Sequence, residues 1–285
     1  MATVYGAKEI ADAERDGFTF FSGWRKQPTQ TTGAGIWFDL SMSPGNPVPN
    51  YYIGVPGVFT PLRQSADGGI PHGGSVSPKT KLLRVFEIQS ANAAPLPVKI
   101  LDYLGFYPFL DESVVDEQFM TNSTPIPRYP DGAGVMMMPV VVAGQIGGGT
   151  FFVRYTNQDG VAGRQTPQHA TGTQAVNGTI ITSAGAVNNS RAPFMALQEG
   201  DTGVRTVDSI VFEGIGDIGL ISIALVKVIA ESYIRDTTAP HERDFSMDMG
   251  SLPIIKDDAY LNLLSLPNGS LSGAPIMGYI KTLWV

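Results

Sequence analysis

The sequence predicts an all-β fold, a jelly-roll-like β-sandwich with an extended N-terminal arm and a few short helices. The first observation behind this prediction is the content of 33 glycines and 21 prolines in 285 residues, scattered along the whole chain. Both residue types weaken helix interiors, by about 1 kcal/mol for glycine and about 3 kcal/mol for proline, so long helices are disfavoured. The second observation is a series of about eight short strand patterns between residues 81 and 235, which is typical of two packed sheets.

The strand patterns are of two kinds. The segment TFFVRYT alternates, with Phe151, Val153 and Tyr155 on one face, as expected of a strand with one buried side. The segment GLISIALVKVI is apolar on both faces and rich in β-branched residues, which favours a central strand over a short buried helix. In QAVNGTII, Asn177-Gly178 predicts a hairpin with a type I′ turn. The remaining patterns are KLLRVFEIQ, VKILDYLGF, VMMMPVVVA, TPQHATG and VRTVDSIVF.

Three short helices are predicted between these strands and at the ends of the chain. Residues 7–15 contain good helix formers, although Ile10 is their one large apolar anchor. Asp111 is a candidate N-cap for a helix over ESVVDEQF. Asp257 is a candidate N-cap for a helix over DAYLNLL, which Pro267 and the two residues after it would end.

Residues 41–78 have a different character from the rest of the chain. Prolines fix the backbone and remove hydrogen-bond donors, so this stretch is not expected to form a central strand. Its aromatic and apolar residues nevertheless favour burial, and an extended arm laid over a surface, its own or a neighbour's, satisfies both observations. The prolines are Pro44, Pro47, Pro49, Pro56, Pro61, Pro71 and Pro78. The candidate partner-binding residues are Tyr51, Tyr52, Val55 and Phe59.

The chain is therefore divided into three predicted segments. Residues 1–80 are an extended N-terminal arm rich in proline and glycine, and residues 81–235 are the β-sandwich core. Residues 236–285 are a C-terminal segment that packs on the core or on a neighbouring subunit. We expect the arm and the C-terminal segment to supply contacts between subunits.

Charge and composition restrict the partners. The formal net charge is −7, and the 19 basic residues never form a run, which disfavours direct binding of nucleic acid or of an anionic membrane surface. The longest uncharged apolar stretch, residues 218–226, is far shorter than the roughly 20 residues that span a bilayer. The N-terminus carries charges where a signal peptide is apolar, and the chain has no cysteine. These features predict a soluble, non-exported chain made in a reducing cytoplasm.

The glycine run in GQIGGGT is the one sequence that suggests a phosphate-binding loop. A dinucleotide-binding loop needs a helix after its glycines, and a P-loop needs Gly-Lys followed by Ser or Thr. The residues that follow here, 150–156, read as a strand instead. We therefore interpret the glycines as a connection between strands, and we expect no nucleotide cofactor.

Catalytic and metal-binding patterns are also weak. No two histidines have the spacing of a zinc helix, and we expect His72, His169 and His241 in loops or at the surface. GSLSG has leucine where a nucleophile elbow needs serine. Adjacent acids could in principle hydrolyse glycosides, but beside predicted helix ends they are interpreted as caps and solvated faces. The sequence therefore predicts no enzyme, no metal and no cofactor.

Five segments together resemble a family of tailed-bacteriophage virion structural proteins, and the resemblance extends over most of the chain. They are residues 39–52 (DLSMSPGNPVPNYY), 67–81 (DGGIPHGGSVSPKTK), 155–164 (YTNQDGVAGR), 200–210 (GDTGVRTVDSI) and 257–271 (DDAYLNLLSLPNGSL). The resemblance implies a virion component without enzymatic activity, assembled in the host cytoplasm. By analogy between folds it implies a capsid decoration, or cement, protein. Such a protein would bind the major capsid protein on the outside of the shell and form a homotrimer.

Three alternatives remain open at this stage. A tail, baseplate or adaptor protein of a virion would share the composition and the fold. A glycan-binding surface module would use exposed aromatic residues such as Trp24 or Trp37 against sugar rings. A depolymerase would need paired carboxylates in a cleft, for which Asp257 and Asp258 are the best candidates.

Overall fold

The computed structural model describes residues 6–90, 96–184, 192–214, 216–248 and 252–285. Three antiparallel sheets and a few short helices make up this part of the chain, which confirms the predicted all-β sandwich class. In chain order the strands are β1 (Thr19–Lys26), β2 (Phe38–Asp39), β3 (Gly45–Asn46), β4 (Thr60–Pro61), β5 (Lys81–Ser90), β6 (Leu96–Asp111), β7 (Gln118–Phe119), β8 (Val135–Ile146), β9 (Thr150–Asn157), β10 (Arg164–Gln165), β11 (His169–Ala170), β12 (Val204–Phe212), β13 (Ile218–Ile234), β14 (His241–Asp244), β15 (Leu261–Ser265) and β16 (Ile276–Trp284). The helices are α1 (Ala7–Arg15), α2 (Gln64–Asp67), α3 (Ile181–Ala184) and α4 (Phe245–Asp248), with a 3₁₀ turn at Leu40–Met42.

The central sheet has the strand order β2-β15-β6-β13-β8, and β4 pairs with Gly105 and Phe106 of β6. Its two longest strands, β6 and β13, pair from Leu96 opposite Ile234 to Asp111 opposite Leu220. Most of β13 is buried, as expected for a strand that is apolar on both faces. The predicted central strand over GLISIALVKVI is therefore confirmed.

The first sheet, in the order β14-β5-β16-β1-β3, combines residues from all three predicted segments. Strand β1 lies within residues 1–80 and pairs along its whole length with β16, from Thr19 opposite Leu283 to Lys26 opposite Ile276. Residues 1–80 are thus not only an extended arm, because they also supply an internal strand. The C-terminal β16 lies between β5 and β1, so the sheets do not follow the predicted boundaries at residues 80 and 235.

The third sheet has the order β10-β9-β12-β7, with β11 beside β9. Along β9 the predicted alternation is confirmed, since Phe151, Val153 and Tyr155 are fully buried and the residues between them are partly exposed.

Three hydrophobic cores fill the spaces around the central sheet. The first joins β5 and β16 to one end of the central sheet, and the second joins the third sheet to its other end. Along β13, Ile223 and Leu225 belong to the second core, and Ala224 and Val226 belong to the third. Because successive residues of a strand point to opposite faces, the third core covers the face of the central sheet opposite the second core. The side chains that cover this face come largely from residues 37–62, namely Trp37, Met42, Tyr52 and Leu62.

One predicted helix is confirmed and two are wrong. Helix α1 has the predicted bounds, Ala7–Arg15. After Asp111 the chain instead makes a turn, in which the Asp111 carboxylate accepts hydrogen bonds from the backbone and hydroxyl of Ser113, and then enters β7. The segment after Asp257 forms β15, because all five of its residues are buried in the central sheet and this burial outweighs helix propensity.

The turn predicted at Asn177-Gly178 also differs from expectation. Gly178 has a positive φ of 94°, whereas Asn177 does not, so the turn is not of type I′. The residues before it form no strand, and Thr179 and Ile180 make isolated bridges to Phe38 and Val140. Within the described ranges, no helix is both long enough and apolar enough to cross a membrane.

Candidate interaction surface

The four predicted partner-binding residues occupy two different environments. Tyr52 is fully buried and Phe59 is 3% exposed, so both side chains belong to the interior of this chain. Tyr51 and Val55 are 51% and 65% exposed. Their exposed neighbours are Val48, at 64%, and Ile53, at 73%. We call Val48, Tyr51, Ile53 and Val55 the arm patch.

The arm patch lies on the segment of residues 43–60. A buried carboxylate binds the middle of this segment, at Tyr52, to the central sheet. The Asp39 carboxylate, which has no solvent exposure, accepts hydrogen bonds from the hydroxyl of Tyr52 at 2.5 Å and from that of Tyr103 at 2.7 Å. Ser41 adds its backbone N–H at 2.9 Å and its hydroxyl at 2.7 Å. Burial raises the pKa of Asp39, while these hydrogen bonds oppose the shift. The ring of Tyr52 also packs edge-on against Phe106, at 5.1 Å between centroids.

A buried lysine holds the start of the segment. The Lys26 side chain, at the end of β1, has no solvent exposure, and its Nζ donates to the carbonyls of Pro47 at 2.7 Å and Ser43 at 3.2 Å. Burial lowers the pKa of Lys26 to about 8, and the charge of Asp39 opposes that shift. Just before Pro47, Asn46 pairs with Arg25 of β1, so backbone and side-chain contacts both fix this point.

The end of the segment is held by aromatic packing. The Phe59 ring lies 5.2 Å from that of Tyr107 in the second core. A Cβ at Gly105 would come within 2.4 Å of the Phe59 ring, so glycine at this position permits the close approach. The next residue, Thr60, pairs with Phe106 of β6. The arm patch is therefore a set of exposed apolar side chains on a segment that buried contacts hold at its start, middle and end.

The glycine run after β8 binds a carboxylate of the chain itself. The backbone N–H groups of Gly148 and Gly149 donate to the two oxygens of Asp217, at 3.2 and 2.9 Å. Asp217 is 4% exposed, and the hydroxyl of Thr171 also approaches it, at 3.4 Å. The loop connects β8 to β9, as the sequence predicts, and its donors are directed at an internal anion.

The strongest catalytic candidates are held in structural contacts. Lys81 is buried, and its Nζ donates to Nδ1 of His72 at 3.1 Å and to Oδ1 of Asp257 at 3.3 Å. Burial and the charge of Lys81 lower the pKa of His72 to about 4. Burial alone would raise the pKa of Asp257, but hydrogen bonds from Ser75 and Lys81 outweigh it and lower that pKa. Asp258 accepts a bond from the backbone of Ser65, at 2.8 Å.

The histidine prediction is met in part. His72 lies in a loop, as expected, although its side chain is fully buried. His241 begins β14 and is partly exposed, whereas His169 lies in the short strand β11 and is 1% exposed, so the expected loop or surface position is wrong for His169. In the described ranges, no group of three or more histidine, aspartate or glutamate side chains is placed to hold a metal ion.

The tryptophans proposed for glycan binding are in the interior. Trp24 is 3% exposed and packs 6.2 Å from Phe86, while Trp37 is 7% exposed in the third core. Neither ring offers a surface to a sugar. Residues that sequence reasoning missed are Val48 and Ile53, because their exposure depends on where the anchors hold the backbone.

Comparisons with known proteins give no family. No protein-family model matches the chain, and no curated protein matches it. Solved structures with some similarity include a mutant VP2 protein of infectious bursal disease virus, at 10% identity and a TM-score of 0.17, covering 94% of this chain and 78% of that one. The structure of the Gx strain of that virus gives 11% identity and a TM-score of 0.18, with 94% and 80% covered. TM-scores this low do not establish a shared fold.

Proposed function

We propose that this chain is a non-enzymatic structural protein of a virion that binds the outside of the capsid and bridges neighbouring capsomers. The observation that carries the proposal is the arm patch, in which four large apolar side chains are each at least half exposed on an anchored backbone. The proposed partner is the major capsid protein, whose apolar surface would cover the patch.

The energetics of the arm patch favour docking. Single exposed apolar residues are ordinary, but the four in residues 48–55 lie close together in sequence, and each gains from being covered by a partner. Full burial of such a side chain is worth about 1.5–3 kcal/mol relative to exposure. Because Asp39 and Lys26 already hold the backbone, binding orders little additional chain and its entropic cost is small. Repetition around a symmetric shell then gives avidity from modest contacts.

The groups that could have suggested an enzyme support a structural function instead. The Asp257 carboxylate accepts hydrogen bonds from Lys81 and Ser75, and the Asp217 carboxylate accepts them from backbone N–H groups. The proposal therefore includes no catalytic activity and no cofactor.

Location and assembly complete the proposal. The chain would be incorporated into the virion after synthesis in the host cytoplasm, as a homotrimer formed through its β-sandwich. A net charge of −7 fits a position away from packaged nucleic acid. A tail, baseplate or adaptor protein is the alternative, since an anchored apolar surface would serve equally to join subunits there.

The experiment measures binding to capsid shells that lack this chain. Deletion of residues 1–60 would remove β1 and disturb the first sheet, so a double substitution, Ile53→Asp with Val55→Asp, is the cleaner variant. We expect its occupancy on shells, measured by co-sedimentation, to fall by at least about tenfold, because charged side chains cannot enter an apolar contact without a large desolvation cost.

The matched control is Val161→Asp, at a residue that is 50% exposed in the turn after β9. We expect this variant to bind shells like the unsubstituted protein. Equal occupancy of the double variant and the control, with both folded by circular dichroism, would overturn the function of the arm patch. Binding to isolated tails but not to shells would favour the alternative.

A further inference from the structure

The outer face of the first sheet carries a groove that the arm patch does not include. Directly paired residues project to the same face, so the register identifies its lining. One row across β5, β16, β1 and β3 contains Gln89, Met277, Arg25 and Asn46. The next row, across β14, β5, β16 and β1, contains Glu242, Glu87, Tyr279 and Gly23. With Phe21, most of these residues line an open groove of about 470 Å³.

Gly23 forms the floor of this groove, and the fold does not require a glycine there. Its φ lies outside the left-handed region, so its backbone conformation suits any residue. A Cβ at this position would meet nothing closer than the Gly278 carbonyl oxygen at 3.8 Å. Glycine inside a strand costs stability, and it often marks a site that a ligand approaches closely. The missing side chain keeps the groove open.

Two aromatic rings form one wall beside the floor. Phe21 is 61% exposed, and its ring centroid lies 4.5 Å from that of Tyr279. The Tyr279 hydroxyl donates to the Glu242 carboxylate, which fixes the ring. The faces of aromatic rings carry partial negative charge and attract the C–H groups on the face of a pyranose ring.

Polar side chains of both charge signs also line the groove. Arg25 and the amides of Asn46 and Gln89 offer hydrogen-bond donors, while Glu87 offers acceptors. Glu87 and Glu242 are directly paired across two strands and would repel an anionic polymer, whereas Arg25 would repel a cationic one. The groove therefore suits an uncharged ligand that both donates and accepts hydrogen bonds.

We propose that this groove binds a neutral saccharide, with one pyranose ring over Gly23, stacked against Phe21 and Tyr279 and hydrogen-bonded by Arg25 and Glu87. Trp24 also borders the groove, but its side chain is 3% exposed, so the site does not use the tryptophan rings that the sequence suggested. It uses none of the arm patch, so it stands independently of the capsid-binding function.

The test uses the full chain on an array of neutral and acidic oligosaccharides of defined structure, followed by calorimetric titration of the strongest neutral binder. We expect a neutral oligosaccharide to bind with a Kd of about 1 mM or tighter. Gly23→Val should weaken that binding at least about tenfold while leaving the melting temperature unchanged or higher, because valine favours a strand and fills the floor.

Phe21→Ala is a second variant, at an exposed position where truncation does not disturb the core, and it should weaken binding by a similar factor. Phe119→Ala, at an exposed aromatic residue in the third sheet, is the control and should bind normally. The proposal is overturned if no neutral oligosaccharide binds, if acidic ones bind better, or if both groove variants retain binding. It is also overturned if Gly23→Val changes only the oligomeric mass in light scattering, since a second copy of the chain would then occupy the face.

Discussion

At the scale of single residues, buried polar groups determine which side chains are left for partners. Tyr51 and Tyr52 are adjacent and identical in type, yet Tyr52 is fully buried and Tyr51 is 51% exposed. The difference arises because the Tyr52 hydroxyl reaches Asp39 and its backbone takes a positive φ of 55°. No sequence pattern marks this choice, since the segment is neither a regular strand nor a helix.

We expect Tyr52→Phe to lower the free energy of unfolding by about 1.5–3 kcal/mol. The change removes one hydrogen bond to a buried carboxylate oxygen and leaves the Ser41 hydroxyl as its remaining donor. Tyr51→Phe is the matched control and should alter stability by less than about 0.5 kcal/mol, because its side chain is half exposed. Urea denaturation of both variants measures the difference. Similar effects for the two would contradict the anchor at Asp39.

The buried carboxyl group of Glu112 lies in an environment that favours its neutral form. It has no solvent exposure, and Oε2 has no hydrogen-bond partner among the described residues, while Nε2 of Gln145 donates to Oε1. Burial raises the pKa of Glu112 to about 7, the hydrogen bond from Gln145 opposes this, and Asp217 and Asp111 add to it. The folded chain therefore retains this proton at pH values where the unfolded chain has released it.

This proton makes stability depend on pH. The contribution of Glu112 is fully present below its unfolded pKa, near 4.5, and is lost as pH rises through about 7. We expect Glu112→Gln, which mimics the protonated carboxyl, to exceed the unsubstituted protein in unfolding free energy by up to about 3 kcal/mol at pH 8 and to match it near pH 4.5.

The measurement is urea denaturation of both proteins between pH 4.5 and pH 8. Their difference at each pH removes contributions from other groups such as His72. Glu199→Gln, at an exposed residue, is the control and should show no such divergence. A constant difference between Glu112→Gln and the unsubstituted protein across this range would contradict a neutral Glu112.

At the scale of elements, the glycine run after β8 shows how glycines specify a loop without any external ligand. A Cβ at Gly149 would lie 2.3 Å from Oδ2 of Asp217 and 2.6 Å from Cα of Gly214. A Cβ at Gly148 would meet nothing within 4 Å. Two neighbouring glycines therefore differ in how much space the loop leaves them.

We expect Gly149→Ala to destabilise the chain by about 1–3 kcal/mol, because the methyl group displaces the Asp217 carboxylate from its donors. Gly148→Ala should be neutral or slightly stabilising, since it restricts the unfolded chain without a clash. Thermal unfolding of the pair tests this. Equal melting temperatures would contradict the close packing of this loop on Asp217.

Elements with a strong pattern were predicted well, and those that depend on distant contacts were not. Strands β5, β9, β12 and β13 follow from alternation or β-branched content in their own sequence. The sequence predicted a helix where β15 lies, because the burial of β15 between β2 and β6 comes from partners about 160 to 230 residues away in sequence. Two-residue strands such as β3 have no local signal at all.

At the scale of the whole molecule, the N- and C-terminal parts of the chain supply strands of the first sheet and are not separate extensions. Strands β1 and β16 pair along their length, and Glu14 of α1 accepts hydrogen bonds from Lys281 of β16 and Arg84 of β5. The sequence predicted an extended N-terminal segment, but not that this segment also supplies strand β1 and side chains of the third core. The position of β1 depends on its pairing with β16, which is distant in sequence and which composition does not predict.

This arrangement leaves a rigid β body that presents the arm patch, and the central claim is that the patch contacts the capsid. The most direct measurement is an electron-microscopy map of the virion at side-chain resolution. We expect the chain on the outer shell, with Ile53 and Val55 within about 4 Å of apolar side chains of the major capsid protein. A map in which these residues face solvent, or in which the chain is found only in the tail, would contradict the claim.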